Sequence, residues 1–456
     1  MTHWLFWGNW AVLILTDILL GLMVFSSFKE KETRATVISL LGLLVNSSLW
    51  SLLILFHRIE ILSTLNILLF AFIGVFILIS TVKWFPVLQI RDTSSAIKYD
   101  ERDYMFSRNA LKGHPELMKR YYEAHPEKHA IDSKIHQKPE IGEKGATYYN
   151  ESYSPVFDAA FAFLQNTRHA STGNKASEKK KLDPEKMSKL LKNLGRYYGA
   201  VDVGITPLKG YHKYSHSGRH VENWGEAIHL DHQTAIVIIV AMDVAMIKGA
   251  PALPAILESS RHYVEAAKIA NVMGYYIRSL GYEARAHTDG NYQVMCVPLA
   301  VDAGLGELGR LGIFLHPVYG PCVRISIVTT ELELIPGQPL PHPNAAAIHH
   351  FCKICKKCAD NCPTQSIHKE KEPESQGFRH WSINQESCFS FWKSIGTDCG
   401  FCIAVCPYTK PDTFIHKLVR FYISRNPVNQ YIALLMDDLF YGRKKPIPAA
   451  TENPPF

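Results

Sequence analysis

Eight of the 10 cysteines in this 456-residue sequence lie between Cys352 and Cys406. Cys352, Cys355, Cys358 and Cys362, followed by Pro363, have the C-x2-C-x2-C-x3-C-P spacing that folds thiolates around an iron-sulfur cube. Cys388, Cys399, Cys402 and Cys406, with Pro407 behind, make a second set. In two-cluster modules the last cysteine of each run crosses to the other cluster. That rule assigns Cys352, Cys355, Cys358 and Cys406 to one 4Fe-4S cluster, and Cys362, Cys388, Cys399 and Cys402 to the other. Zinc also takes paired Cys-x2-Cys, but seldom eight thiolates in two interleaved runs each closed by Cys-Pro. The chemistry announced is one-electron transfer. Thiols reserved for clusters argue for a reducing or anaerobic setting during assembly and against a disulfide-stapled secreted chain. Cys296 and Cys322 read first as small buried apolar residues. His349 and His350, just before Cys352, read as a surface linker, because eight thiolates already complete both clusters.

The second concentration of unusual residues is Gly304, Gly306, Gly309 and Gly312. Glycines this dense mean that the backbone turns tightly or lies close against something, for which a ligand is one candidate. The dinucleotide-binding reading of Gly304-x-Gly306-x-x-Gly309 is weak, because neither a well-formed strand precedes it nor an acidic residue follows about 20 positions on.

These residues need elements to hold them. From Glu151 to about Pro343 the pattern is that of a soluble α/β domain. Pro184 opens a helix that Gly199 closes, Ala200–Ile205 reads as a short strand, and the unbroken apolar run Thr234–Val240 reads as a strand covered on both faces. Glu258–Leu280 is the strongest helix, with Tyr263, Ala266, Ala270, Met273, Ile277 and Leu280 on one stripe and Gly281 as its stop. By itself Tyr263 is a core aromatic on that stripe. A strand at Glu283–His287, a polar turn at Asp289–Asn291, the run Met295–Ala300 and a strand over Arg324–Thr330 follow. Upstream, Asn109–Tyr122 is read as helical with Pro115 in its path, and the rest of Pro86–Asn150 as irregular. Downstream, Met436–Lys445 reads as a closing helix and tail.

Three apolar runs, Leu5–Phe28, Ala35–Phe56 and Ile61–Val82, are each about 20 residues, enough to cross a bilayer as a helix. The first has no basic leader, carries Asp17 and lacks both a small-residue cleavage site and a twin-arginine pair, so it is read as a retained span. Lys29, Lys31 and Arg34 follow the first run and Lys83, Arg91, Lys98 and Arg102 follow the third, against Arg58 in the second loop. This bias predicts a multi-pass protein of the inner membrane, N-terminus outside and the main domain in the cytoplasm. Asp17 and Asn46, polar in mid-membrane, are expected to face a neighbouring helix or another subunit. A net charge of +7 is modest for this length, and the lysines of Asn174–Lys186 read as a solvated loop, with no nucleic-acid motif beside them.

Several stretches together resemble the reductive dehalogenases, the corrinoid and iron-sulfur family that removes halogens from organic molecules. They are Met105-Phe-Ser-Arg108, Tyr121-Tyr122 with His125-Pro-Glu127, Tyr214-Ser-His-Ser-Gly-Arg219, Tyr276-Ile-Arg-Ser-Leu-Gly-Tyr282, Val297-Pro-Leu-Ala300, Asp302-Ala-Gly-Leu-Gly-Glu307, Tyr319-Gly-Pro-Cys-Val-Arg324 and the paired cluster motifs. They cover nearly everything from about residue 100 onward. The resemblance implies an α+β/α/β chain with a nitroreductase-like, corrinoid-binding core and a ferredoxin-like module carrying two 4Fe-4S clusters. It implies that Tyr263 is the proton donor, that Arg324 stabilises its phenolate by lowering a pKa that starts near 10, and that Asn291 lies on the substrate side, with Asp289 as its rival. It implies cobalamin contacts from Gly304, Leu305, Gly306, Gly309 and Tyr214, with no Asp-x-His-x-x-Gly motif to put a protein ligand on cobalt. The expected organisation is a membrane anchor at 1–83, a linker and wrap at 84–150, the corrinoid domain at 151–345, the two-cluster domain at 346–410 and a closing segment at 411–456. Its partners would be a small organohalide, membrane lipid, a membrane or soluble electron donor and a second copy in a homodimer, without nucleic acid. The built-in anchor departs from the family, whose members usually carry an export signal and use a separate anchor. Cys322 departs from the Gly-Pro-x-Val-Arg stretch, with no physical account from sequence. The competing readings are an epoxyqueuosine-reductase-like enzyme with a non-halogenated substrate and a membrane electron-transfer subunit.

Overall fold

The computed structural model describes residues 2–57, 59–86, 96–337, 342–370, 372–375 and 378–447. Arg58 and Arg91, which entered the loop-charge argument, and the tail after 447 lie outside them. The chain forms two compact units, Met1–Pro86 with Pro411–Lys445, and a second built on Val87–Lys410.

In the first unit three helices, Thr2–Lys29, Thr33–Leu55 and Glu60–Thr81, are each long and apolar enough to cross a membrane. They meet through polar side chains. Asn46 Nδ2 donates to Asp17 Oδ1 and Thr16 Oγ1, both at 2.7 Å, and Ser47 Oγ donates to Asp17 Oδ2 at 2.8 Å. Asp17 and Asn46 therefore face each other across the first two helices. Asn66 Nδ2 donates to Asn9 Oδ1 at 3.0 Å between the first and third. The helices Phe414–Ile423 and Pro427–Tyr441 complete this unit, so the closing segment is two helices where the sequence suggests one.

The second unit is built on a four-stranded antiparallel sheet in the order Asp202–Pro207, Thr234–Ala241, Val323–Thr330, Ala284–His287. Strand alternation sends Ile236, Ile238 and Val240 to one face and Ala235, Val237 and Ile239 to the other, all buried. The first face packs against helices Pro184–Tyr197 and Leu253–Ser279, the second against Leu299 and Ala300 of helix Cys296–Asp302. Covering on both sides is why the central strand reads as an unbroken apolar run. The long helix starts at Leu253, before the expected Glu258, with Pro254 in its first turn where a missing N–H costs nothing. Glu258 lies inside it, fully buried, accepting from the Asp243 N–H at 2.5 Å and pairing with His262 at 3.0 Å. Gly281 closes it at φ +87°, where an added Cβ would come within 2.3 Å of the Glu178 carbonyl oxygen.

The segment before this core is more regular than its sequence suggests. Pro115 begins helix Pro115–Ala124, separate from Met105–Ala110, and helices Pro126–His136 and Ser154–Thr167 occupy stretches read as irregular or left unassigned. All three have proline in the first turn, so each proline marks a start, not an interruption. This wrap is fastened to the cluster region. Arg108, completely buried, donates to Asp132 at 2.6 and 2.8 Å and to Glu386 at 2.6 Å, while Lys393 Nζ donates to Asn109 at 2.9 Å and Glu140 at 2.8 Å.

Candidate active site and cluster module

The cysteine loops alternate short helices with left-handed turns. Helix Ala345–Cys355 ends at Lys356 (φ +57°), helix Lys357–Asn361 follows, and Cys399 (φ +52°) and Gly400 (φ +65°) turn the chain into Phe401–Ala404. His349 and His350 belong to the first of these helices and are half-buried, so they are not a surface linker; His349 Nδ1 lies 3.5 Å from Glu372. The thiols gather in two groups. Cys406 lies among Cys352, Cys355 and Cys358, and Cys402 among Cys399, Cys388 and Cys362, each raising its neighbours' resistance to ionisation. Cys402 is also felt by Cys358 and Cys406, so the two groups are neighbours.

Burial pushes the Cys352 thiol up to about 11 and those of Cys388 and Cys399 up to about 12, so these sulfurs ionise only against added positive charge. Backbone N–H groups supply part of that environment. Ser366 N–H donates to Cys362 Sγ at 3.3 Å, and those of Phe401 and Tyr408 reach Cys399 and Cys406. Among the described residues no three His, Cys, Asp or Glu side chains are gathered closely enough to hold one metal ion. The donor set, two runs of four thiols each closed by Cys-Pro, fits iron-sulfur ligation.

Tyr263 leaves the apolar stripe of its helix. Its stripe partners Ala266, Ala270, Met273, Ile277 and Leu280 enter the core, whereas its ring lies under the guanidinium of Arg324, 4.7 Å from ring centroid to Cζ. Antiparallel pairing sets this geometry by putting Arg324 beside Val240, near the end of the central strand. Arg324 Nη2 donates to Ser259 Oγ at 2.5 Å and stands 3.4 Å from Asp398 Oδ2. Burial drives the Tyr263 hydroxyl well above its ordinary value, and Arg324 opposes that without reversing it. Arg324 thus acts on Tyr263 in the expected, lowering direction, with burial the larger influence.

Asp289, the rival position, joins this group: its carboxyl is raised by burial and opposed by Arg219 and Arg324, and it is felt by Tyr263, Tyr104 and Tyr292. Asn291 is engaged elsewhere. Its Nδ2 donates to Ser171 Oγ at 2.8 Å and its Oδ1 accepts from Arg285 at 2.9 Å, so its amide holds the turn in place. Tyr214 lies with Tyr99, Tyr104, Tyr292 and Cys296 in the same interior. Tyr104, 42% exposed, neighbours Asp289, Cys296 and Cys388, all half-buried. Arg324 Nε, Asp398 Oδ1 and Arg285 Nε are buried without a hydrogen-bond partner. Orphaned buried polar atoms in a neighbourhood rich in phenols fit a large, amide-fringed macrocycle such as a corrinoid.

The glycine cluster has a different explanation from ligand approach. A Cβ on Gly306 would lie 2.1 Å from the Leu315 carbonyl oxygen, and one on Gly309 would lie 2.0 Å from Leu315 Cδ1. These glycines let the small hairpin of Glu307–Leu308 and Phe314–Leu315 fold onto itself, with Gly304 (φ +72°) and Gly312 (φ +75°) at its turns. Leu305 is buried in the core against the sheet. The hairpin instead presents Arg310, wholly buried, which donates to the carbonyls of Cys352 (2.8 Å), His368 (2.7 Å) and Lys353 (3.2 Å) and lies 4.1 Å over the Trp381 ring. Sequence reasoning passed over Arg310, Ser259 and Asp398; the adjacency of Asp398 to Cys399 and of Arg310 to the glycines was the available signal. Cys322 is buried with its Sγ 3.5 Å from the Met242 carbonyl, as a small apolar residue would be, whereas Cys296 lies half-buried among the phenols.

Residues 351–410 match the family model of the 4Fe-4S dicluster domain. The chain is 30% identical over 303 residues to a tetrachloroethene reductive dehalogenase of Desulfitobacterium hafniense, covering 56% of this chain and 54% of the relative, and 32% identical over 223 residues to that of Sulfurospirillum multivorans, covering 47% and 43%. A solved reductive dehalogenase, described as B12-dependent, superimposes with a TM-score of 0.64 at 22% identity, over 80% of this chain and 50% of that one. The chain spans about half the length of the curated relatives it matches. Sequence and fold thus make it similar to the reductive dehalogenases.

Proposed function

We propose that this protein is a membrane-anchored reductive dehalogenase, an oxidoreductase that replaces the halogen of a small organohalide by hydrogen. The carrying observation is the stacking of Arg324 on Tyr263 in an interior that also holds Asp289 and, through Asp398, adjoins the cluster ligand Cys399. The eight cysteines would hold two 4Fe-4S clusters, and Tyr104, Tyr214 and Tyr292, in a nitroreductase-like core, would line the corrinoid site. When bound, the clusters supply single low-potential electrons and the cobalamin supplies a reduced metal that can take halogen or carbon.

The overall change consumes two electrons and one proton and releases halide. Tyr263 gives the proton to carbon, and its burial keeps that proton in place until it is needed. Arg324 then faces the phenolate across the ring and offsets its charge, held in register by Ser259 and Asp398. Arg219, which opposes ionisation loss at Asp289, gives the departing anion a positive neighbour. We read the catalytic unit as cytoplasmic, fed by a membrane or soluble donor.

Anaerobically purified, cobalamin-loaded protein should contain about eight irons per chain and release halide from a small organohalide with the hydrogen-substituted product. Tyr263→Phe should keep iron and corrinoid and slow turnover about 100-fold. Loaded parent enzyme that releases no halide from a broad organohalide panel would favour a non-halogenated substrate.

A further inference from the structure

Helix Pro427–Tyr441 is built inside out. Its buried residues are Asn429 and Gln430, with Asn426 just before them, while Val428, Tyr431, Leu435, Met436 and Leu439 are exposed, Leu435 to 70%. In helix Phe414–Ile423, His416 is buried beside Ile423, and Phe414, Leu418, Val419 and Phe421 are exposed. A helix in water turns its apolar stripe inward. Positions 414, 418 and 421, and 428, 431, 435 and 439, follow the three-and-four spacing of a single face, and here that face points out.

The inward polar groups bind the ends of the membrane-length helices. Asn426 Nδ2 donates to the carbonyls of Ile79 (3.0 Å) and Val82 (3.1 Å), and Asn429 Nδ2 to that of Ser80 (2.9 Å), where the last carbonyls of a helix lack internal partners. His416 Nε2 lies 3.0 Å from Glu30, just past the end of the first helix. Arg34, at the start of the second, donates to the Leu439 carbonyl at 2.9 Å. In three successive spans the end of the first, the start of the second and the end of the third emerge on one side of the bilayer. A helix held at its first turn to the third span and near its last turn to the second lies across that end, close to the membrane plane.

We infer that residues 414–441 form a hairpin seated in the headgroup–acyl boundary of the bilayer, with both outward stripes in lipid. Isolated exposed apolar residues are ordinary, but two continuous stripes joined to the ends of membrane spans are not. From 410 to 445 there are seven Lys and Arg against three Asp, which suits an anionic leaflet. Asp412 pairs with Lys417 and Arg420 and Asp438 with Arg443, and the excess of cations over Asp leaves the hairpin net positive.

The full-length protein, in nanodiscs containing phosphatidylglycerol with a photoactivatable acyl chain, should acquire lipid adducts on 414–441 at a level comparable to 60–81. Exposed apolar residues of the other unit, such as Phe163 and Tyr275, should acquire none. Replacing phosphatidylglycerol by phosphatidylcholine should lower the 414–441 adducts several-fold and leave those on 60–81 unchanged. Leu435→Asn with Leu439→Asn should remove adducts from the second helix only. Unlabelled 414–441 beside labelled spans, or cross-links from this hairpin to a second copy in place of lipid, would overturn the proposal. Equal labelling in both lipids would overturn its electrostatic half.

Discussion

In the unit around the sheet, the most deeply buried side chains include Ile236, Ile238, Leu191 and Ile277; in the unit of the three long apolar helices they include Asn9, Asn66, Asn429 and Gln430. With the membrane anchoring proposed above, the contrast follows from what surrounds each unit. Water drives apolar side chains inward, so the sheet is packed from both faces by alternating residues of one strand. Lipid tails are as apolar as leucine and give no such drive, so helices there are matched by polar contacts and close packing. The sheet unit also buries charge, as at Arg108, which Asp132 and Glu386 surround.

The largest effect should come from breaking that buried charge. Arg108→Met leaves Asp132 without its ion pair and should cost about 3–5 kcal/mol, read as a lowered denaturation midpoint of the cluster-containing unit. An unchanged midpoint would mean that water reaches the site. Next is Asp302, which accepts from Lys209 at 2.8 Å and Tyr211 at 2.5 Å. Burial alone would push its carboxyl up, but His212, Lys209 and Tyr211 hold it well below the usual range. Its contribution is therefore present above the ordinary carboxylate range and lost as pH falls through its depressed folded value. Asp302→Ala should cost about 2 kcal/mol at neutral pH, with the difference from parent narrowing in strong acid. In the membrane unit, Asp17→Ala removes the partner of Asn46 and Ser47 and should cost about 1 kcal/mol in bilayers, since polar pairs between spans are worth little more. A loss as large as that for Arg108 would erase the contrast between the units. Smallest of all, Leu435→Ala should change stability by less than about 0.5 kcal/mol, whereas Ile238→Ala in the sheet should cost about 2–5 kcal/mol.

The parts legible in the sequence are those whose physics is local. Cluster ligation depends on cysteines a few residues apart, so the runs Cys352–Cys362 and Cys388–Cys406 announce the 4Fe-4S dicluster domain matched over residues 351–410. Membrane-length helices depend on unbroken apolar length, and the strand Thr234–Ala241 and the body of Leu253–Ser279 on a regular apolar pattern. The structure decided what depends on residues far apart in the chain. Strand register and the packing of helix Leu253–Ser279 on the sheet set Arg324 over Tyr263, Arg285 and Ser171 tie Asn291 to the scaffold, and the glycines between Gly304 and Gly312 serve a hairpin whose partner atoms no local pattern reveals. Even the closing helices show their apolar stripes in sequence. Only the tertiary fold shows them facing outward, because the same spacing serves a core or a bilayer, and what distinguishes the two is which side the neighbouring helices occupy.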